Sequence, residues 1–229
     1  MRDGGVLGYN IAMKNYDIIL FDLDGTLSDS KPGIFHCIRY ALDKKGIACS
    51  DEVMGKMIGP PFRVSMKEFL GLDMPLIEEL ITLYRGLYEV SGYKESKVYD
   101  GVFDMLARLK AAGKRLAVAT SKPMKFTAMM IDELGLGKYF EYVGGASSDL
   151  TREAKKDIIE LDIDAMSATD RSKVLMVGDR LYDIVGAHEA GVDVAGVLWG
   201  YGPEEELKEY GADYIVETPA QLADMILFE

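Results

Sequence analysis

The stretch YDIILFDLDGTLSDS, residues 16–30, opens on a run of apolar residues and then sets Asp22, Asp24 and Asp29 within eight positions. Successive apolar positions fit a strand buried on both faces, as in a parallel sheet covered by helices. In an extended segment Asp22 and Asp24, two apart, point to the same side, and Gly25 lets the chain turn sharply at the strand end. Two carboxylates in one cleft raise each other's pKa, and a bound divalent cation removes that cost. Mg²⁺ takes one or two carboxylates, waters and a phosphate. The plainer alternative makes Asp24-Gly25 an ordinary turn, with Ser28, Asp29 or Ser30 capping the next helix.

The same pattern recurs at RLAVAT (115–120), KVLMVGD (173–179) and VDVAGVLWG (192–200). Helical patterns lie between and after these strands: GVFDMLARLKAAG ending at Gly113, KPMKFTAMMIDELGLG, REAKKDIIELDI, and LYDIVGAHEAG ending at Gly191. Alternation of this kind predicts an α/β fold, a Rossmann-like core whose mostly parallel sheet is flanked by helices and binds ligands at its carboxyl edge. One interval breaks it. Ile34, Ile38, Ala41 and Leu42 form one helical stripe, and Leu76, Leu80, Ile81, Tyr84, Leu87 and Tyr88 form another, with no strand between. The expected division is an N-terminal extension over 1–15, a core over 16–30 and 95–229, and an inserted all-α cap over 31–94. Met13 is an alternative start, which would leave residues 1–12 as a loose extension.

Composition narrows the function. With 38 acids against 26 bases the net charge is −12, which repels nucleic acid and anionic membranes and means that an anionic substrate needs a local cation. Neither a signal-peptide core nor a run of about 18 apolar residues is present, so a cytoplasmic protein is expected. Cys37 and Cys49 lack a CxxC spacing and read as free thiols. His36 and His188 stand on helices without partners at metal spacing, and Glu204 to Glu206 and Asp213 read as solvated faces. The thirteen methionines suit core filling. No GxxxxGK or GxGxxG follows a strand, so nucleoside triphosphate or dinucleotide binding has no support.

Three further strand ends carry chemistry. MVGDRLYDIVGA puts Asp179 directly after a buried strand, with Asp183 one helical turn on. AVATSKP ends a strand on Thr120 and Ser121, whose hydroxyls and N–H groups at a helix start can hold phosphate oxygens. TREAKKDII supplies Lys155 at a helix start, a compact cation for developing negative charge. DxDGTLxDS, hydrophobic-T-S-K, a lone Lys and GDRxxD, in that order and with a helical insertion after the first, resemble the haloacid dehalogenase superfamily. The likeness is to its branch of phosphatases with a small helical cap, which includes phosphoglycolate phosphatase-like and 5'-nucleotidase-like members, and it spans the chain from about Tyr16 onward. That branch mostly has Lys-Pro at the third motif, where this chain has Lys155-Lys156-Asp157. Lys155 keeps the family spacing to Ile158-Ile159, with Lys156 as the alternative.

The resemblance implies a role for each matched residue. Asp22 would be the nucleophile that forms an aspartyl-phosphate, and Asp24 the general acid and then base. Mg²⁺ would be held by the Asp22 carboxylate, the Asp24 backbone carbonyl and Asp179, with Asp183 in the same set, orienting a metal water or Lys155. Thr120 and Ser121, with Gly25 and Thr26, would cradle the phosphoryl group. Lys155 would stabilise both nucleophile and phosphate. The helical insertion would act as a lid, in which Arg63 of IGPPFR (58–63) either contacts a second anionic or polar group of the substrate or is solvated behind a helix start at Pro60 and Pro61. The expected activity is Mg²⁺-dependent hydrolysis of a small phosphorylated metabolite, phosphoglycolate or a nucleoside monophosphate foremost, by a monomer or weak homodimer. A phosphosugar mutase and, from a different class, a phosphoacceptor signalling domain are the alternatives.

Overall fold

The apolar runs become neighbouring strands. In the computed structural model, which describes residues 14–60, 62–147 and 151–228, β1 (Ile18–Phe21) pairs in parallel with β4 (Arg115–Pro123) on one side and β6 (Val174–Gly178) on the other. Adding β5 (Tyr142–Ala146), β7 (Asp193–Val197) and β8 (Tyr214–Val216) gives an all-parallel sheet in the order β5-β4-β1-β6-β7-β8. Successive residues of each central strand go to opposite faces. Ile19, Phe21, Val118 and Val177 join one buried cluster, while Ile18, Leu20, Ala119 and Met176 join the other. That is why the runs are apolar at every position. From β1 the chain builds outward through β4 and β5, then returns to β1's other side with β6, so the sheet's switch point lies beside β1.

The helical excursion leaves and re-enters through a two-residue antiparallel ribbon, β2 (Ser28–Asp29) against β3 (Lys97–Val98). Between them run α1 (Lys31–Lys44), α2 (Asp51–Lys56), α3 (Phe62–Leu70), α4 (Met74–Val90) and a 3₁₀ turn, Gly92–Glu95. Local chemistry sets their starts: Ser50 accepts from Val53 N and Asp73 accepts from Leu76 N, while Pro lies in the first turn of α1 and α4. In the core, α5 (Val102–Ala111), α6 (Met124–Glu133), α7 (Lys155–Ala165), α8 (Leu181–Glu189), α9 (Glu204–Glu209) and α10 (Pro219–Leu227) follow.

The structure corrects some expected boundaries. The strand expected over 115–120 runs on to Pro123, with an irregularity between Thr120 and Pro123. A residue before proline is pushed into extended backbone, so Lys122 cannot open the helix, and α6 begins at Met124. β7 ends at Val197, which leaves Trp199 in the following loop. β5 escapes a sequence reading because its YVGGA contains two glycines. At Gly144 a Cβ would lie 1.9 Å from Asp162 Oδ1, so the glycine admits α7 against the sheet. Of the expected extension, residues 1–13 lie outside the described residues, and Lys14 pairs with Asp193 at 2.7 Å. Among the described residues no helix is long and apolar enough to cross a membrane.

Candidate active site

The carboxyl ends of β1, β4 and β6 stand side by side, and each delivers functional residues to one crevice. Asp22 follows β1 and is anchored by its N–H on Val177 O of β6 at 2.9 Å. Lys155, the first residue of α7, reaches across with its Nζ 2.7 Å from Asp22 Oδ1 and 2.9 Å from Ala119 O. The same ammonium lies 2.8 Å from Asp183 Oδ1, an ion pair outside hydrogen-bond geometry. Lys155 is buried and the neighbouring Lys156 is exposed, so the first of the two lysines occupies the crevice.

Asp179 follows β6, fully buried. Its Oδ1 accepts from Thr26 Oγ1 at 3.2 Å and its Oδ2 from Tyr201 N at 2.7 Å. Asp183, in the first turn of α8, accepts from Arg180 N at 3.1 Å through Oδ2. Carboxylate oxygens of Asp22, Asp179 and Asp183 lie within 4.8 Å of one another. Burial pushes Asp22 up to about 6 against the pull of Lys155. Burial likewise pushes Asp179 up to about 8, reinforced by Asp183 and Asp22. Burial opposes the charge on Lys155, but Asp183 and Asp22 outweigh it and hold the ammonium above its ordinary value.

Whether this site suits a metal follows from its donors. They are all oxygen, three carboxylates face one ammonium, and Asp183 Oδ1 is buried without a hydrogen-bond donor among the described residues. Gly25 has φ +90, and a Cβ there would lie 2.3 Å from Asp179 Oδ2, so only glycine leaves that carboxylate its place. An oxygen-seeking cation such as Mg²⁺ fits this set.

Asp24 stands apart from the triad. Its Oδ2 accepts from Lys122 Nζ at 2.8 Å, and its Oδ1 is buried with no donor among the described residues. Lys122 is buried and sits over the Tyr88 ring of α4, 4.7 Å from its centroid. Burial opposes its charge, yet Asp24 keeps its pKa raised. AVATSKP displays Lys122 at a strand end, but its partner Asp24 lies far away in the sequence. Thr120 is buried and accepts from Lys122 N at 3.3 Å, and Ser121 is half-buried. Both lie in the last part of β4 rather than at a helix start, because the strand runs on to Pro123.

A cavity of about 150 Å³ opens over Asp22, Asp24 and Thr120 and is roofed by the helical insertion, with Arg63, Tyr84 and Arg85 on that side. Arg63 is neither solvated nor free: it holds Glu78 through Nε at 2.5 Å and a second nitrogen at 3.0 Å. Arg85 makes no hydrogen bond or ion pair among the described residues, though its charge also acts on Glu78. Arg180 spans the two layers, binding Glu206 Oε1 at 2.8 Å and donating to Ile58 O of the insertion, so Glu206 is not a solvated residue. At the surface both histidines have a carboxylate beside them, and only the reading of Asp213 as a solvated residue changes. His36 pairs with Glu95 at 2.6 Å and His188 with Asp213 at 3.3 Å, and Asp213 also accepts from Val194 N at 2.9 Å. Cys37 and Cys49 are free.

Comparison with known proteins agrees with this geometry. A family model described as "Haloacid dehalogenase-like hydrolase" matches residues 19–197. A 5'-nucleotidase from Pseudomonas aeruginosa is 36% identical over 218 residues, 94% of this chain and 97% of the relative. The tyrosine-protein kinase PtkA from Mycobacterium tuberculosis is 36% identical over 186 residues, 81% of this chain and 63% of the relative. Among solved structures, one titled "a predicted phosphatase" from Clostridium acetobutylicum superposes with a TM-score of 0.89 at 37% identity, covering 94% of this chain and 100% of the other.

Proposed function

The chain belongs to the haloacid dehalogenase-like hydrolases and is a phosphoric monoester hydrolase; from that premise we propose that it hydrolyses a small phosphomonoester through a phosphorylated Asp22, with Mg²⁺ as cofactor. Nucleoside monophosphates and phosphoglycolate are the foremost substrates. The observation that carries the reading is the buried Lys155–Asp22 pair at 2.7 Å, set in a crevice where Asp179 and Asp183 converge.

Lys155 holds one oxygen of Asp22 and favours its ionised form, leaving the other oxygen to attack phosphorus. Thr120 and Ser121 line the cavity beside Asp22, where they would border the transferring phosphoryl group. Asp24 gives its proton to the departing alkoxide and takes one from the water that cleaves the aspartyl-phosphate, a contribution of about 10² to 10⁴-fold. Lys122 positions Asp24 through the 2.8 Å bond to its Oδ2. Mg²⁺, when bound, supplies neutralisation of phosphoryl charge. Asp22, Asp179 and the Asp24 backbone carbonyl would hold it, with Asp183 orienting Lys155.

The roof of the cavity speaks to the substrate's other end. With Arg63 engaged by Glu78, Arg85 is the cation available for a second anionic or polar group. Phe62 and Tyr84, 4.7 Å apart, and Tyr84 and Tyr88, 5.5 Å apart and stacked, offer aromatic surface beside it. The test is a panel of nucleoside monophosphates, phosphoglycolate, sugar phosphates and p-nitrophenyl phosphate, ranked by kcat/KM in Mg²⁺ and in EDTA. Release of inorganic phosphate that needs Mg²⁺ and no bisphosphate activator supports the reading. Phosphate moved within a sugar would favour a mutase, and transfer from ATP to a tyrosine peptide would favour the activity named for the mycobacterial relative.

A further inference from the structure

The loop over residues 198–203, between β7 and α9, touches both the acidic crevice and the root of the helical insertion. The backbone N–H of Tyr201 donates to Asp179 Oδ2 at 2.7 Å. Its hydroxyl, at the far end of the side chain, accepts from Ser30 N at 2.8 Å and Lys31 N at 3.0 Å, and donates to Asp29 Oδ1 at 3.0 Å. A phenol has one hydrogen to donate and two positions to accept, so its capacity is filled. All three partners belong to the outgoing linker. The N-cap residue of α1, Ser30, makes no side-chain cap; its own N–H and that of Lys31 go to a phenol of the core, and Lys31 N also donates to Asp29 Oδ1 at 3.2 Å. Tyr99, on the returning linker, lies beside the same phenol.

The loop is itself held tightly. Trp199 Nε1 donates to Thr26 O at 2.9 Å, which pins it to the turn after β1. At Gly200 a Cβ would lie 2.3 Å from Asp179 Cβ and 2.4 Å from Gly25 O, so no larger residue fits without moving one of them. A single short segment therefore sets the Asp179 carboxylate with its backbone and the linker with its side chain.

We propose that Tyr201 is a positioning residue that ties the root of the helical insertion to the Asp179 carboxylate, its hydroxyl setting how the insertion sits over the crevice and its backbone N–H setting the carboxylate. This rests on the reading of Asp179 as a Mg²⁺-holding residue of a phosphatase. The coupling matters because a misplacement of about 1 Å can cost about 10²-fold in rate.

Two substitutions in the full chain separate the two arms. Tyr201→Phe removes the hydroxyl and keeps the ring and the backbone N–H, whereas Gly200→Ala presses a methyl on Asp179 and keeps the hydroxyl. Mg²⁺ affinity is read by calorimetric titration, kcat and KM with p-nitrophenyl phosphate, and folding by thermal melting. Tyr201→Phe is expected to bind Mg²⁺ within about twofold of wild type and to melt within a few degrees of it, while kcat falls about tenfold or more. Asp29→Ala removes one of the hydroxyl's three partners, and with it an acceptor of Lys31 N at 3.2 Å, so kcat should also fall, and the double variant should fall by less than the product of the two singles. Gly200→Ala should weaken Mg²⁺ binding about tenfold or more. Wild-type kcat in Tyr201→Phe, multiplying effects in the double variant, or an equal loss of Mg²⁺ affinity in Tyr201→Phe and Gly200→Ala would each overturn the inference. A wild-type protein that neither binds Mg²⁺ nor releases phosphate would overturn the phosphatase reading and this inference with it. A wild type that does both, matched by Tyr201→Phe, overturns this inference alone.

Discussion

Replacing Lys155 by Met tests the charge arrangement of the crevice. The side chains are of similar length, so packing is largely conserved, but the ammonium is lost. That group is buried and lies 2.7 Å from Asp22 Oδ1, 2.8 Å from Asp183 Oδ1 and 2.9 Å from Ala119 O. Without it Asp22, Asp179 and Asp183, within 4.8 Å of one another, have no buried cation among them. Removing one partner of a buried ion pair costs about 3–5 kcal/mol, which for a chain of this length lowers Tm by roughly 6–20 °C. The loss should depend on pH. Lys155 already lowers a carboxyl that burial holds at about 6, so without it Asp22 takes up a proton more readily. At pH 6 protonation of Asp22 and Asp179 relieves much of the repulsion, and at pH 8, where Asp179 is only partly protonated, it relieves less. Urea denaturation in EDTA is therefore expected to show the larger loss at pH 8, a smaller one at pH 6, and partial recovery in Mg²⁺. Lys156→Met, at an exposed position, serves as the control with little effect. A Lys155→Met protein within about 1 kcal/mol of wild type at pH 8 in EDTA would refute the role given to the ammonium.

Two further outcomes follow from other buried or roofing groups. Asp162 is fully buried, neither oxygen has a hydrogen-bond donor among the described residues, and burial pushes its carboxyl up to about 8 against Lys155 and Arg152. The folded state keeps a proton that the unfolded chain releases near pH 4, so this group's contribution is full below about pH 4. It is lost at up to about 1.4 kcal/mol per pH unit as pH rises toward 8. Asp162→Asn should flatten the fall in urea stability between pH 5 and 8, and an unchanged slope would show that Asp162 is not held neutral. Arg85→Ala should lower kcat/KM for phosphoglycolate about 10 to 100-fold more than for p-nitrophenyl phosphate, which lacks a second anionic group. Equal losses on the two esters would remove Arg85 from substrate selection.

The parts legible in the sequence are those that one segment determines by itself. A strand covered on both faces must be apolar at successive positions, so β1, β4, β6 and β7 stand out, and a carboxylate placed directly after such a strand, as at Asp22 and Asp179, has little purely structural reason to be there. The parts that were not legible depend on where distant segments meet. Lys122 follows a readable strand, but its bond to Asp24 closes over 98 residues. Tyr201 resembles any loop tyrosine until its hydroxyl is seen on Ser30, 171 positions away. Arg63 lines the cavity's roof, and its engagement by Glu78 depends on how α3 packs on α4. Glu206 looked like one of a run of solvated acids, and only the approach of Arg180 distinguishes it.

The central claim is that Asp22 attacks phosphorus, and Asp22→Asn tests it most directly, because the amide keeps the size of the carboxyl while removing its nucleophilic oxygen. Turnover of p-nitrophenyl phosphate in Mg²⁺ is expected to fall by about 10³-fold or more, with circular dichroism that matches wild type. Hydrolysis by Asp22→Asn at the wild-type rate would contradict the account.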